Sequence, residues 1–217
     1  MDEFARRPAE DRRAFIDEAA ARRDLTPIII EKDFWVCWTL RRLVMCPDLA
    51  GHMTFKGGTS LSKAYGIIAR FSEDIDLTIS RAAPLLSEVA SPMDSDITGK
   101  ERERRTKALK AAAQAYVATV AMPILAREIE VALGTAEGWS LALDPDDKDQ
   151  QTLLFVYPRT SGYGLAYGEN YGGADESGYI KPRIKLEFGA RGDTEPFALR
   201  PILPIWPKTF PRNCRIR

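Results

Sequence analysis

The chain has 217 residues, of which 45% are hydrophobic and 29% are charged, so it is long enough to bury a full core and has the composition of a globular protein. Its 31 basic and 31 acidic residues cancel, which excludes an overall field that attracts nucleic acid or membrane. Three cysteines without CxxC spacing favour a reducing compartment, and a single histidine, His52, argues against His-rich metal sites and most Ser-His or Cys-His catalysis.

The N-terminal residues are charged and lack the apolar core of a signal peptide, and no apolar run approaches the roughly 20 residues of a membrane helix. We therefore expect a cytoplasmic protein. We divide the chain into a helical segment (1–50), a core (51–203) and a proline-rich basic tail (204–217), and we expect regular structure to stop near Pro201.

Two helices are predicted before residue 50. The first runs from Pro8 to Arg23, with Phe15, Ile16, Ala19 and Ala20 on one face. The second runs from Thr26-Pro27 to about Cys46. Apolar residues lie on more than one side of the second helix, which predicts burial from two directions. Glu31-Lys32-Asp33 interrupts its apolar run, and a solvated strip with a local ion pair is the favoured interpretation.

The core alternates short strands with helices, which predicts an α/β (α+β) fold. Strands are predicted at Met53–Lys56 and Asp74–Ile79, with a helix between them that is capped by Thr59 or Ser60. A long helix from Lys100 to Leu133 follows, with a kink or break at Pro123.

The last part of the core is predicted to contain a hairpin and a further strand. The hairpin pairs 140–143 with 152–157, and its acidic loop reads as a solvated turn rather than a metal site. A glycine- and tyrosine-rich surface loop is expected over 161–178, although its tyrosines can also stack on a base. A strong strand follows over 180–189.

The stretch Asp74-Ile75-Asp76-Leu77-Thr78-Ile79 alternates strictly, so both aspartates point to one face of a sheet. Two carboxylates roughly 6.5 Å apart along a strand can hold a pair of magnesium ions together with phosphate oxygens. Taken alone, a purely structural Asp-Ile-Asp is an equally good interpretation.

The turn Gly57-Gly58-Thr59-Ser60 has residue types that suit phosphate binding. Glycines let the backbone approach a phosphate, and the following helix offers free N–H groups and the positive end of its dipole. Lys56 or Lys63 can neutralise the phosphate charge. A simple turn is the alternative, and the spacing is not that of a Walker loop.

A third carboxylate is expected from a neighbouring strand. In Ile184–Phe188 the apolar residues alternate with Lys185 and Glu187, so Glu187 can reach the metals or act as a base. Lys185, with Arg183 and Lys181, can bind triphosphate or a substrate backbone. An exposed Lys–Glu pair is the simpler alternative.

These residues resemble a known family. Phe55-Lys-Gly-Gly-Thr-Ser-Leu-Ser-Lys-Ala-Tyr, the segment from Arg70 to Leu77, Ile30-Glu-Lys-Asp-Phe-Trp and Ile184-Lys-Leu-Glu-Phe-Gly resemble segments of the AbiEii/AbiGii toxin family. The resemblance implies a DNA polymerase β-like nucleotidyltransferase core and a role in type IV toxin–antitoxin and phage-defence (abortive-infection) systems. It also implies magnesium-dependent transfer of a nucleotide from an NTP to an acceptor such as tRNA or another RNA, with a cognate antitoxin as partner.

Carried onto this sequence, the resemblance places Gly58, Thr59 and Ser60 in the phosphate-holding turn and makes Asp74 and Asp76 the metal carboxylates. Members of the family continue into a C-terminal helical region with a further lysine and an Arg-Asp-x-x-Asp-type segment, and neither element is found before Arg217. Two alternatives therefore stand beside an active transferase. One is a catalytically inactive, truncated member that binds a nucleotide or a partner, and the other is a kinase on the same fold.

The sequence also contains two local basic patches, 100–110 and 200–217. Either patch can hold an RNA backbone. A solvated helix face and a disordered tail are the favoured interpretations.

Overall fold

A computed structural model of the chain describes residues 1–63, 74–160 and 181–190, together with the backbone of 200–201 and 215–216. The helices in these ranges are α1 (Asp2–Ala5), α2 (Ala9–Arg23), α3 (Pro27–Met45), α4 (Pro47–Ala50), α5 (Gly57–Lys63), α6 (Gly99–Tyr116) and α7 (Met122–Leu133). The strands are β1 (Met53–Lys56), β2 (Asp74–Ile79), β3 (Ser140–Leu143), β4 (Thr152–Val156), β5 (Arg183–Gly189), β6 (Arg200–Pro201) and β7 (Arg215–Ile216).

Five of the strands form one mixed sheet in the order β1-β2-β5-β4-β3. Strands β2 and β5 run parallel, whereas the other neighbouring pairs are antiparallel. The predicted mixed α/β class, the strand at Asp74–Ile79 and the hairpin that joins β3 to β4 are thereby confirmed. The central parallel pair matters most for function, because it brings two polar strand faces side by side.

One face of the sheet is the core and the other is open. Ile75, Leu77, Ile184 and Leu186 are buried, while the residues that alternate with them in β5 are half-buried. This period-two pattern is what a sheet with one covered face requires.

Helix α3 packs against the covered face through a set of aromatic side chains. Trp35 stacks on Tyr157 with ring centroids 5.3 Å apart, and Trp38 stacks on Phe155 at 6.0 Å. Both tryptophans are almost completely buried. Such large rings supply much of the apolar area that fixes the helix on the sheet.

The polar stretch of α3 corrects an expectation from the sequence. Glu31, Lys32 and Asp33 are exposed by 0%, 2% and 0%, so they are not a solvated strip. Partners from other segments satisfy them: the Glu31 carboxylate accepts from the Thr160 N–H at 2.6 Å, and the Lys32 ammonium donates to the carbonyl of Lys181 at 2.8 Å. Asp33 forms an ion pair with Lys63. Buried charges persist only when they are paired in this way.

The predicted long helix is continuous from Gly99 to Leu133, with a π-helical turn at Val117–Ala121 just before Pro123. The wider π turn accommodates the proline, whose ring and missing N–H disfavour the regular ladder, so the predicted break is not observed. Among the described residues, this helix is long and apolar enough to cross a membrane, but that is weak evidence because buried core helices pass the same test.

Three smaller expectations are also corrected. Phe15 is 47% exposed instead of lying on the covered side of α2. Helix α5 begins at Gly57, two residues before the predicted caps. Regular structure does not stop at Pro201, because β6 pairs antiparallel with β7.

Candidate active site

The register of the sheet aligns polar side chains in one row across five strands. Lys56 pairs with Asp76, Asp76 with Glu187, and Glu187 with Thr152. The N–H of Asp144 donates to the carbonyl of Thr152 at 2.9 Å, which continues the row to the end of β3. We call these five residues the carboxylate row. It lies on the open face, since alternate residues of β2 and β5 are in the core.

A second row of polar residues lies two residues before the first, toward the N-terminal ends of β2 and β5. Asp74 is the cross-strand partner of Lys185, and both side chains point to the same face as the carboxylate row. The Lys185 ammonium donates to a Glu187 carboxylate oxygen at 2.6 Å. The fold thus brings together Asp74, Asp76, Lys185 and Glu187, which the sequence placed on two separate strands.

Gly57 connects the glycine turn to the carboxylate row. Its φ of +73° lies in the left-handed region, and a Cβ at this position would come 1.8 Å from an Asp76 carboxylate oxygen. Only glycine fits here, because it adopts a positive φ without strain and has no Cβ that would collide with the carboxylate. The Asp76 carboxylate therefore lies directly against the main chain at the start of α5.

The hydroxyl residues of the turn are more buried than the sequence suggests. Thr59 is completely buried and its hydroxyl donates to the main-chain carbonyl of Asp74. Thr59 therefore ties α5 to β2, and it is the third residue of the helix rather than the residue before it. Ser60 is 5% exposed, whereas Gly58 is half-buried. The part of the turn that can meet a ligand is consequently its main chain and glycines.

The two lysines predicted to neutralise phosphate lie in different surroundings. Lys56 is exposed at the end of β1, beside Asp76, and its ammonium is 3.7 Å from the position of a Cβ on Gly189. Lys63 is 1% exposed and its ammonium is paired with Asp33. Burial lowers the pKa of Lys63 to about 7, and the contact with the Asp33 carboxylate acts in the opposite direction. Lys63 is thus engaged with α3 and away from the sheet face.

Burial and the charge of one neighbour oppose the ionisation of Asp76. Burial raises the pKa of Asp76, and the negative charge of Glu187 raises it further, while Lys56 and Lys185 act against both effects. The pKa of Lys185 is raised, first by its hydrogen bond to Glu187 and then by the charges of Asp74 and Asp144. An added positive charge beside Asp76 would favour its ionised form.

The residue types suit a hard cation, because carboxylate oxygens are the ligands that magnesium prefers. The raised pKa of Asp76 marks a place where such a cation would relieve repulsion. Among the described residues, however, no three Asp, Glu, His or Cys side chains already lie together as a metal site. Asp74 and Asp76 are the residues that fit, while Glu187 is held by Lys185.

The sequence did not identify Asp144 as part of this face. It is 8% exposed, ends the carboxylate row and contributes to the raised pKa of Lys185. The available signal was the alternation Ala142–Asp144, which extends the face of β3 by one more residue. The rest of the acidic loop is a turn, as favoured: the Asp147 carboxylate accepts from the N–H groups of Asp149 and Gln151 at 2.8 Å.

The basic patch at 100–110 is largely paired with acidic side chains. Arg104 and Arg105 both bind Glu101 at 2.7 Å, Lys107 binds Glu103 at 2.6 Å and Lys110 binds Asp149 at 2.5 Å. These ion pairs agree with a solvated helix face. The loop at 161–178 and most of the tail from 204 lie outside the described residues.

A mixed five-stranded sheet with flanking helices and a glycine turn set against an Asp-x-Asp strand defines a nucleotidyltransferase-like protein. The family model of the nucleotidyl transferase AbiEii toxin of type IV toxin–antitoxin systems matches residues 38–217. The chain belongs to this family, as its motifs predicted. Comparisons with curated proteins and with solved structures gave no match.

Proposed function

We propose that this protein is a magnesium-dependent nucleotidyltransferase that moves a nucleoside monophosphate from an NTP to an acceptor such as tRNA. The observation that carries the proposal is the contact between Asp76 and Gly57, since the carboxylate beside the turn has a raised pKa that a bound cation would lower. Phosphate held at the turn would lie next to a cation held by Asp76.

Each side chain has a separate task in the proposed reaction. The turn binds phosphates through the N–H groups at the start of α5, and Lys56 and Lys185 balance their charge. Asp74 and Asp76 hold magnesium. The chemistry that magnesium supplies when bound is stabilisation of the charge that develops on the phosphoryl oxygens.

Glu187 is the base in this proposal. A hydroxyl oxygen of the acceptor forms the new bond to the α-phosphorus, the bond from that phosphorus to the pyrophosphate oxygen breaks, and the hydroxyl proton passes to the Glu187 carboxylate. Lys185 must first exchange Glu187 for a phosphate oxygen. Its position between the carboxylates of Asp74 and Glu187 favours such an exchange.

The test is transfer of label from each of the four NTPs, labelled at the α-phosphate, to total cellular RNA and protein. We expect transfer with magnesium, none with a chelator, and none with Asp74→Ala or Asp76→Ala. Label transferred from the γ-phosphate would indicate a kinase instead. Absence of transfer from every NTP to every acceptor would contradict the proposal.

A second candidate is a nucleotide- or partner-binding protein without turnover. The observation that favours it is the Lys185–Glu187 ion pair, which occupies the third carboxylate. This candidate predicts that calorimetry detects NTP binding while no label is transferred. Turnover in the labelling experiment would exclude it.

The type IV family description implies a cognate antitoxin, and we propose that this protein acts as the toxin of such a pair in phage defence within the cytoplasm. Expression of the wild-type chain should arrest growth, and co-expression of the antitoxin should restore it. Growth arrest by Asp76→Ala to the same extent would separate toxicity from transfer and contradict this role.

A further inference from the structure

Helix α3 carries three consecutive buried charges, and each of them engages a different segment of the fold. Glu31 meets the end of the β4 segment at Thr160, and Lys32 meets the carbonyl of Lys181 just before β5. Asp33 forms an ion pair with Lys63 of α5. Asp33 is therefore the member of this group that acts on the helix of the glycine turn.

The described residues of α5 are held at two places. Its N-terminal end is fixed to β2, since Gly57 lies against the Asp76 carboxylate and the Thr59 hydroxyl donates to the carbonyl of Asp74. Further along α5, Lys63 is fixed to α3 by its ion pair with Asp33, and the two side chains are 1% and 0% exposed. The seven residues of α5 thus bridge the core helix and the proposed catalytic strand.

We propose that Asp33 is a positioning residue for nucleotide binding, which acts through Lys63 to hold the glycine turn against Asp76. The contacts of Lys63 with α3 and of Gly57 and Thr59 with β2 together set how the described residues of α5 lie against the sheet. Loss of the Asp33 charge removes the carboxylate that holds Lys63, so the buried side chain either loses its proton or turns toward solvent, and in both cases the contact that fixes α5 to α3 is weakened. The turn then moves relative to Asp76. This inference rests on the proposed function.

The matched control is Thr39→Val. Thr39 is also completely buried in α3, but its hydroxyl donates to the Trp35 carbonyl within the same helix at 2.8 Å. The substitution removes a buried polar contact of α3 without touching α5. It therefore reports general loosening of the helix, whereas Asp33→Asn reports the link to the turn.

The first measurement needs no substrate. Hydrogen–deuterium exchange of the peptide that contains 57–63 should be faster in Asp33→Asn than in the wild type, and unchanged in Thr39→Val. Unchanged exchange in Asp33→Asn would overturn the link between Asp33 and α5, whether or not the protein is a nucleotidyltransferase. Equally fast exchange in Thr39→Val would overturn it as well, since loosening would then be general.

The second measurement is the dissociation constant for each NTP with magnesium, at a temperature where circular dichroism shows every variant folded. We expect Asp33→Asn to weaken binding at least about tenfold, because small displacements of positioning groups have effects of this order or larger. Thr39→Val should remain within about twofold. Wild-type binding by folded Asp33→Asn would contradict the proposal, whereas no binding by the wild type would contradict the proposed function instead.

Asp33→Glu covers the case in which Asp33→Asn does not fold. It keeps the charge and the ion pair but lengthens the side chain by one methylene, so it should fold, displace α5 and weaken NTP binding several-fold. Steady-state kinetics should then show a raised KM with a smaller change in kcat. Wild-type exchange and wild-type KM in Asp33→Glu would show that the position of Asp33 does not set the turn.

Discussion

The carboxylates on the open sheet face and those at the start of α6 are chemically alike but lie in opposite electrostatic surroundings. Glu101 accepts hydrogen bonds from Arg104 and Arg105, which lower its pKa to about 2. Asp76 instead has a raised pKa, because it is partly buried and faces Glu187 across the β2–β5 pair. The surroundings of Glu101 stabilise its negative charge, whereas the surroundings of Asp76 destabilise its negative charge.

This difference indicates in which of the two regions the ionised carboxylates stabilise the folded protein. In the α6 cluster (Glu101, Glu103, Arg104, Arg105 and Lys107), each carboxylate is paired with a cation, as on many solvated helix faces. In the carboxylate row, Asp76 and Glu187 lie on neighbouring strands, so their negative charges repel each other. Such arrangements are concentrated at functional sites, where a ligand supplies the missing charge.

The largest effect expected is loss of transfer in Asp76→Asn. Without this charge, the proposed cation loses a ligand, and activity should fall at least about 100-fold, since metal stabilisation is worth several kcal/mol and each 1.4 kcal/mol is tenfold. Label transfer from the α-phosphate measures it. The control is Glu101→Gln, which removes a carboxylate charge from the α6 cluster and should transfer normally. Equal losses of transfer activity in the two variants would show that the carboxylates of the two regions do not differ in function.

Gly57→Ala should destabilise the protein by about 2 kcal/mol or more, since it combines a left-handed backbone with a methyl group against the Asp76 carboxylate. Gly51→Ala is the matched control, because a Cβ there meets no atom within 4 Å. Urea denaturation measures both free energies of unfolding. Similar values for the two variants would mean that Asp76 is not held against the turn.

Asp76→Asn should also raise the melting temperature in the absence of magnesium. The pKa of Asp76 is higher in the folded than in the unfolded state, so the ionised group opposes folding once the pH exceeds this raised pKa. We expect a gain of a few degrees or less at neutral pH, since about 1 kcal/mol shifts the melting temperature of a chain this size by roughly 2–4 °C. The gain should disappear below the ordinary pKa of an aspartate, where both states are protonated.

Calorimetric scans at several pH values provide this measurement. A variant that melts below the wild type at neutral pH would show that the Asp76 charge stabilises the fold. The sheet face would then resemble the α6 cluster.

Glu101→Gln should have the smallest effect, and in the opposite direction. The pKa of Glu101 is lower in the folded state, so its contribution to stability is present above pH 4.5 and is lost as the pH falls toward 2. The melting temperature of the variant should lie slightly below that of the wild type at neutral pH and converge with it in acid. Added salt should reduce the difference, because these side chains are solvated.

The sequence predicted the local pattern of the site well. Alternation along Asp74–Ile79 and along the strand that carries Glu187 placed the polar faces correctly, because a strand fixes the side of every second residue. The pairing of Asp76 with Glu187 depends on the register between two distant strands, which period alone does not determine. The position of Asp144 in the carboxylate row was missed for the same reason.

Buried charged residues were the second feature that could not be predicted from the sequence. Asp33 and Lys63 are 30 residues apart in the chain, and each reads as solvent-exposed by its residue type. Only the packing of α5 against α3 supplies the partner that allows both to be buried. The assignment of Lys63 to phosphate binding followed its residue type and its place near the glycines, neither of which reports the direction of the side chain.

The most direct measurement is a carboxyl-carbon NMR titration of Asp76, with and without magnesium and a non-hydrolysable NTP. Burial of Asp76 and the neighbouring charge of Glu187 predict a pKa above the usual aspartate range in the free protein, and a marked fall when the cation and nucleotide bind. Glu101 should titrate far below the usual range in both states. An ordinary Asp76 pKa that does not respond to magnesium and nucleotide would contradict the proposed site.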